Sequence, residues 1–296
     1  MATDFREQIK TVEEIRDATT FLYNPVVMAI KNKVKYDSQD ADQHKFNTFD
    51  VEKDSIRAEI LTTEQTEKAH IKGKTSSRVF NIYLAGAKAI MSFRNKHLNL
   101  DKANNKVVRG YLQLFDKWGL GGDRGNNGLL ISNDPNYITN NAATIPAIAE
   151  NSDDNWGQVN ALSNTVTQLL RQVDKYTADN ELLVYVYGDK LSDLMESVTK
   201  QNETVVQTLI EDKFKSRNVR LIHIPSLVMP ASMANDNGFV VVSQNVTTLE
   251  YTQEPGVESN GTNEEDQYYW ANYVLGSVQV APDEEGAIIK QPLTFA

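Results

Sequence analysis

The sequence predicts an α+β protein, and three observations carry that prediction. One long apolar stripe at helical period occupies residues 100–118. Helix-period and strand-like segments alternate from 155 to 243. Strand-like runs flank these on both sides, from 31 to 93 and from 244 to 296. With 296 residues, the chain can build one large or two modest domains around a real core.

Residues 3–22 place Phe5, Ile9, Val12, Ile15 and Leu22 at roughly helical spacing with charges between them, which predicts a short amphipathic helix. Asn24-Pro25 ends it, because a residue before proline is pushed toward extended geometry. Val26-Val27-Met28-Ala29-Ile30 then reads as a strand. Residues 31–78 are the most polar part of the first half, with weakly alternating Phe46, Phe49, Val51, Ile56, Ile60 and Leu61. They predict a long two-stranded excursion with a mobile polar tip. Such a ribbon is marginal alone and needs a partner surface, within the chain or on another copy. Residues 79–93 fit both a strand (Phe80, Ile82, Leu84, Ile90) and a helix (Val79, Tyr83, Gly86, Ile90, Phe93); a returning strand is favoured. Leu100, Ala103, Val107, Val108, Tyr111, Leu112, Leu114, Phe115 and Trp118 form the stripe of the long helix. It stops at GLGGDRGNNG, because five glycines in ten residues cannot hold a helix.

Gly128-Leu129-Leu130-Ile131 reads as a short strand and Asn133-Asp134-Pro135-Asn136 as a turn. Residues 137–155 read as irregular, and a boundary is placed there. The next unit holds a helix over 155–176, a buried strand Leu182-Leu183-Val184-Tyr185-Val186-Tyr187, and a short helix with Leu191, Leu194 and Met195, capped by Asp189. A helix over 203–217, a strand from Val219 to Ile224 and another from Phe239 to Val242 complete it. Residues 246–296 return to strands around an acidic polar loop, EPGVESNGTNEEDQ.

Composition narrows the function classes. Hydrophobic residues are 40% and charged residues 24%, ordinary for a globular protein. No apolar run approaches the ~18 residues a membrane span needs, and the N-terminus does not read as a signal peptide, so folding in a cytoplasm is expected. Without cysteine there is no disulfide, thiolate metal site or cysteine nucleophile. Net charge is −10, unevenly spread: residues 1–118 hold 20 Lys+Arg against 16 Asp+Glu, and residues 119–296 hold 10 against 24. The strongly basic stripe of a duplex-DNA binder is missing. The split is either two solvated surfaces, or a mildly basic first part lying against the acidic second part of a neighbouring copy.

Candidate chemistry is sparse. The glycines at 119–128 follow a helix instead of opening one, and lack the GK[ST] and GxGxxG spacings of a phosphate loop. His44, His70, His97 and His223 each stand alone, without a partner at metal-ligand spacing. His223, in RLIHIP, reads as a satisfied core or rim residue. The pairs and triplets Asp153-Asp154, Glu264-Glu265-Asp266 and Asp283-Glu284-Glu285 read as solvated faces without the spacing of a Ca²⁺ loop. No G-x-S-x-G elbow is present. Tyr268-Tyr269-Trp270 and Tyr273 fit sheet packing, or alternatively an interface anchor.

One stretch is distinctive: Gly121-Gly122-Asp123-Arg124-Gly125-Asn126-Asn127-Gly128-Leu129-Leu130-Ile131-Ser132-Asn133-Asp134-Pro135. It resembles the G-D-…-G-L-L-N-x-P segment of tailed-bacteriophage major capsid proteins, where the spine helix enters the peripheral domain. Ser132 before Asn133 departs from that pattern. LLVYVYGDKLSDLM, VRLIHIPSL, GFVVVSQ and Gly276-Ser277-Val278-Gln279-Val280-Ala281-Pro282 are similar to later strands of the family. The resemblance implies a Hong Kong 97-type capsid fold. Its parts would be an N-terminal arm (1–34), an extended loop with return strand (35–99), a spine helix (100–118), the first part of the peripheral domain (119–154), an axial α/β domain (155–243) and returning strands (244–296). Gly121, Gly122, Asp123, Gly125, Gly128, Leu129, Leu130, Asn133 and Pro135 would form the spine-to-peripheral turn. Phe5, Ile9, Val12, Phe46, Phe49, Lys72, Lys74 and Arg78 are candidate contacts between subunits.

The implied function is structural, with no catalysis and no cofactor. Hexamers and pentamers would close into an icosahedral virion head, made in the host cytoplasm, around double-stranded DNA held without sequence-specific binding. Scaffold, portal and decoration proteins are further implied partners; a membrane is not. An acidic chain would leave the enclosed DNA free to move. The alternatives are an encapsulin-like compartment shell, a ring-forming connector or tail protein, and an α/β enzyme using the acidic loops.

Overall fold

The structure is a computed structural model. It describes residues 26–30, 32–34, 43–51, 73–81, 83–92, 109–110, 112–122, 126–134, 136–148, 154–176, 181–199, 204–214, 218–244, 247–251, 258–262, 266–275, 277–280 and 286–296. The helix expected over 3–22 and the tip of the polar excursion lie outside them.

Val26–Ala29 is a 3-10 turn, not the expected strand. The N–H groups of Val26 and Val27 donate to the two carboxylate oxygens of Asp116, both at 3.0 Å. Amides taken up by a side chain are not free for a strand ladder. Strand β1 (Asn32–Val34) follows, then β2 (Gln43–Val51), β3 (Gly73–Asn81) and β4 (Tyr83–Ser92). Strands β2 and β3 pair antiparallel from Gln43↔Asn81 to Val51↔Gly73, and no third strand joins them among the described residues. The strand template, not the helical one, therefore holds for 83–92.

Helix α1 is described over 112–121, with helical residues also at 109–110. It runs three residues beyond the predicted stop at 118. Leu114, counted in the apolar stripe, is 38% exposed, whereas Asp116 is fully buried. Gly128–Ile131 is not a strand; its amides serve the helix end, as described below. The turn forms one residue later than expected, with Tyr137 N–H donating to the Asp134 carbonyl at 3.0 Å.

The region read as irregular, 137–155, contains β5 (Tyr137–Thr139) and β6 (Ala143–Ile145). Three residues are too few to show a period, and their pairing partner lies about 150 residues on. Helix α2 (Trp156–Tyr176), β7 (Glu181–Tyr187), α3 (Asp189–Glu196), α4 (Val206–Phe214), β8 (Asn218–His223) and β9 (Asn237–Ser243) follow. Helix α4 starts at Val206, because Val205 forms an isolated bridge to Val198; residues 203 and 215–217 of the expected span 203–217 lie outside the described residues. Asp189 is not the cap of α3: the cap position is Gly188, at φ +96°, and no side chain of its own caps the helix. Asn237 substitutes from β9, its Oδ1 accepting the Leu191 N–H at 3.1 Å. A side chain at Gly188 would collide with Asn237.

Strands β10 (Thr247–Tyr251), β11 (Glu258–Thr262), β12 (Asp266–Leu275), β13 (Ser277–Val280) and β14 (Ile288–Phe295) complete the chain. Strand β11 lies inside the segment read as an acidic loop. Its polar sequence hides it, and it exists through pairing with β12 across a register shift between Asn260 and Thr262.

Four sheets result. The largest has the order β5-β14-β9-β7-β8, with β6 also on β14. The others are β1-β10-β13, β11-β12-β4 and β2-β3. In the large sheet, Leu182, Val184 and Val186 of β7 join Phe239, Val241 and Ile289 in one cluster with Val159, Leu162, Val166, Leu169 and Val173 of α2. Each such side chain stabilises by roughly 1.5–3 kcal/mol when buried. The alternate residues Leu183, Tyr185 and Tyr187 are buried too. Strand β7 is therefore covered on both faces, which is why its sequence is continuously apolar.

Candidate functional site: the junction at the end of the long helix

The last carbonyls of a helix have no partner within it. At the end of α1, the carbonyls of Trp118, Gly119 and Leu120 each find one nearby. Gly122 takes the left-handed conformation, φ +66°, and its N–H donates to Trp118 O at 2.7 Å. This is the single-bond glycine termination of a helix. Leu129 N–H donates to Gly119 O at 2.8 Å and Leu130 N–H to Leu120 O at 2.7 Å. The two leucines bury their side chains, at 0% and 1% exposure. The Gly-Leu-Leu segment is thus a cap folded back on the helix end.

Close approach explains the glycines. A Cβ at Gly122 would lie 2.8 Å from Gly128 N, and one at Gly128 would lie 2.6 Å from Leu120 O. Gly121 packs against Pro230, and Gly119 against Val27. Asn133 is exposed and donates its N–H to Asn127 Oδ1 at 3.1 Å. Of the expected turn residues, Gly121, Gly122, Gly128, Leu129 and Leu130 come together here, Asn133 lies at the rim, and Asp123, Gly125 and Pro135 are outside the described residues.

Four residues, whose bonds sequence reasoning missed, tie this cap and its helix to the rest of the fold. Lys290 of β14 donates from Nζ to Leu130 O at 2.8 Å, beneath the Tyr187 ring at 5.9 Å from its centroid. Burial lowers the Lys290 pKa, and the charge of Asp236 partly offsets this. Tyr137 donates its hydroxyl to Leu129 O at 2.7 Å. Asp116 receives Val26 and Val27, while Tyr185 donates its hydroxyl to Val26 O at 3.0 Å. Burial raises the pKa of Tyr137, Tyr185 and Tyr187, so each stays a neutral phenol. A lone Lys in a strand and an Asp in a helix carry no motif. Only their contacts, 90 and 160 residues away in sequence, reveal them.

The candidate contacts between subunits divide. Phe5, Ile9, Val12 and Lys72 are outside the described residues. Phe46 and Arg78 are register partners across the β2-β3 ribbon, as are Lys74 and Asp50, and Phe49 and Thr75. Tyr268, Tyr269, Trp270 and Tyr273 lie on β12, in register with Ile90, Ala89, Lys88 and Ala85 of β4. Asp154 accepts the Trp156 N–H at the start of α2. His223, read as satisfied, has a buried Nε2 without a hydrogen-bond partner among the described residues. Among those residues, no group of three His, Asp or Glu is placed to hold a metal ion, and no helix is long and apolar enough to cross a membrane. What the junction does is mechanical: it locks one helix end, one sheet and the turn at 26–30 to each other.

No family model and no curated protein matches the sequence. Solved structures do match in fold. The capsid of Myoviridae phage XM1 is similar at TM-score 0.58 and 15% identity, over 92% of this chain and 92% of that one. A virus-like particle from Pyrococcus furiosus is similar at TM-score 0.59 and 10% identity, over 96% of this chain and 100% of that one. The capsid of an empty GTA particle is similar at TM-score 0.55 and 12% identity, over 94% and 97%. Nearly the whole length takes part in each match, and so the chain has the capsid fold of Hong Kong 97 type that the 121–135 segment led one to expect.

Proposed function

We propose that this chain is a major capsid protein, which assembles through hexamers and pentamers into an icosahedral phage head around double-stranded DNA. The observation that carries this reading is the likeness in fold to capsid subunits over more than nine-tenths of the chain. The β2-β3 ribbon supports it. Two strands with no third neighbour among the described residues are marginal in water and gain stability on another molecule. Phe46, Phe49, Lys74 and Arg78 stand on that ribbon. Uneven charge along the chain favours and orients such association. The arm at 1–34 is assigned to the same contacts, the finished protein to the virion, and its synthesis to the host cytoplasm. Portal, scaffold and decoration proteins are its expected partners.

Negative-stain microscopy of the protein expressed alone tests the reading: closed shells or capsomers are expected, and a uniform population of single chains would refute it. The likeness to the Pyrococcus furiosus particle favours one second reading, a compartment shell with protein cargo. Particles purified from the native source decide between them by content, double-stranded DNA for the first and a cargo protein for the second.

A further inference from the structure

We propose that a cleft beside α3 receives the β2-β3 ribbon of a second copy of this chain. The contact rests on the shell role proposed above and names the surface that takes the ribbon. The cleft, about 360 Å³, is bounded by α3, the start of α2 and the end of β14. Ile148, Leu194 and Phe295 give it apolar walls, and Lys190, Asp193 and Ser197 polar ones. Val198, next to Ser197, is 52% exposed and Ile148 is 44% exposed. The Val198 carbonyl accepts a hydrogen bond at 3.4 Å from Asn155 Nδ2, and Asn155 itself lines the cleft. Val205, bridged to Val198, is exposed as well. Three of the six large hydrophobic residues exposed among the described residues therefore gather at this one place. Single exposed hydrophobics need no explanation, but a group of them marks a contact surface.

Charge and register choose the occupant. On α3 and at the start of α2, the exposed charges are Asp154, Asp189, Asp193 and Glu196 against Lys190, an acidic rim around an apolar cleft. The ribbon has the opposite balance, with Lys45, Lys74 and Arg78 against Asp50. Residues two apart in a strand share a face, and so do register partners. The register thus sets Phe46, Phe80, Arg78, Ser76 and Lys74 on one face, where the only acid is Asp50 opposite Lys74. The other face holds a single cation, Lys45. Aromatic residues with an arginine make the usual anchor of an interface, and a guanidinium pairs well with carboxylates. The face of Phe46 and Arg78 is therefore the one that suits the cleft. A ribbon on one copy and a cleft on the next make a head-to-tail contact, the kind that closes into rings. Five- and six-membered rings are what the shell role requires.

The chain has no cysteine, so single introduced cysteines report the contact cleanly. Full-length Val198→Cys is mixed with full-length Ser76→Cys under oxidising conditions, and the disulfide between the two chains is measured by peptide mass. A disulfide forms only where the two backbones come close. The 76–198 link should exceed the 77–198 link from Ser77→Cys at least fivefold, because residues 76 and 77 lie on opposite faces of the ribbon. Asp193→Lys in the cleft-bearing chain should cut the 76–198 yield at least threefold. Val205→Cys takes the place of Val198→Cys if that variant does not fold. Equal yields from Ser76→Cys and Ser77→Cys, no link from either, or a yield indifferent to Asp193→Lys would overturn the proposal. Closed shells seen by microscopy without the link reject this contact and leave the shell reading standing. A wild type of single chains rejects the shell reading itself, and this contact with it.

Discussion

A methyl group at Gly122 would meet the backbone of Asn126 and Gly128, and the residue sits at φ +66°. Both terms act against substitution, so Gly122→Ala should destabilise by about 2–3 kcal/mol. Gly157 is the control: it lies in α2 with nothing within 4 Å of an added Cβ. Gly157→Ala should be neutral or stabilise by up to about 1 kcal/mol. Urea denaturation measures both, and equal midpoints would contradict the geometry. Ionisation gives a second residue-scale expectation. Tyr137, Tyr185 and Tyr187 have raised pKa values in the fold, so the folded chain keeps protons that the unfolded chain loses above about pH 10. Their stabilisation is complete below that pH and is lost as pH rises, with a slope of up to about 1.4 kcal/mol per pH unit for each tyrosine. Lys290, shifted down, binds fewer protons folded than unfolded just below its ordinary pKa, and so opposes the trend weakly. Denaturation midpoints that stay level from pH 9 to 11 would refute the burial of these phenols. Neither Asp116 nor Lys290 was legible in the sequence, because each matters through a backbone group far along the chain. The glycines were legible as a break, but not as a pair that must touch.

Among the described residues, elements with a strong period were read correctly, and those defined by a distant partner were not. Helix α2 has buried Val159, Leu162, Val166, Leu169 and Val173, the spacing the sequence displays. Strand β7 could be read because both its faces are covered and its apolar run is unbroken. Strands β5 and β6 are too short for a pattern, and polar β11 is a strand only because β12 lies beside it. The Leu129-Leu130 couplet looked like a strand because burial and strand preference share the same residue types; its amides go to a helix end instead. The cap of α3 shows the same limit, since the acceptor is Asn237, 46 residues from the amide it serves. Asn237→Ala should cost about 1–2 kcal/mol by denaturation, whereas Asp189→Ala should cost less than about 0.5 kcal/mol. The reverse order would restore Asp189 as the cap. The excursion makes a further element-scale test: deletion of residues 37–76 should leave a soluble chain that no longer assembles, and normal particles from it would remove the ribbon from the account.

At the scale of the molecule, the order of parts was the most legible feature. A polar ribbon, a long helix, a glycine-rich break and an alternating unit pointed to a capsid-type fold. The fold likeness runs along nearly the whole chain despite 15% identity or less in the structures compared. The expected boundary at 154/155 has less force in the structure, since β5 and β6 hydrogen-bond into the same sheet as β7 and β9. Charge is a long-range property, and on the proposed shell role its segregation into a mildly basic first part and an acidic remainder would make association sensitive to salt. The account as a whole depends on the ribbon gaining its missing contacts from sister copies. Sedimentation velocity over a rising concentration series, with limited proteolysis of residues 43–81 on the same samples, tests this most directly. The account predicts growth in mass toward five- and six-chain species, with the ribbon cleaved in the single chain and protected in the larger species. A compact single chain at every concentration, its ribbon resistant throughout, would contradict it.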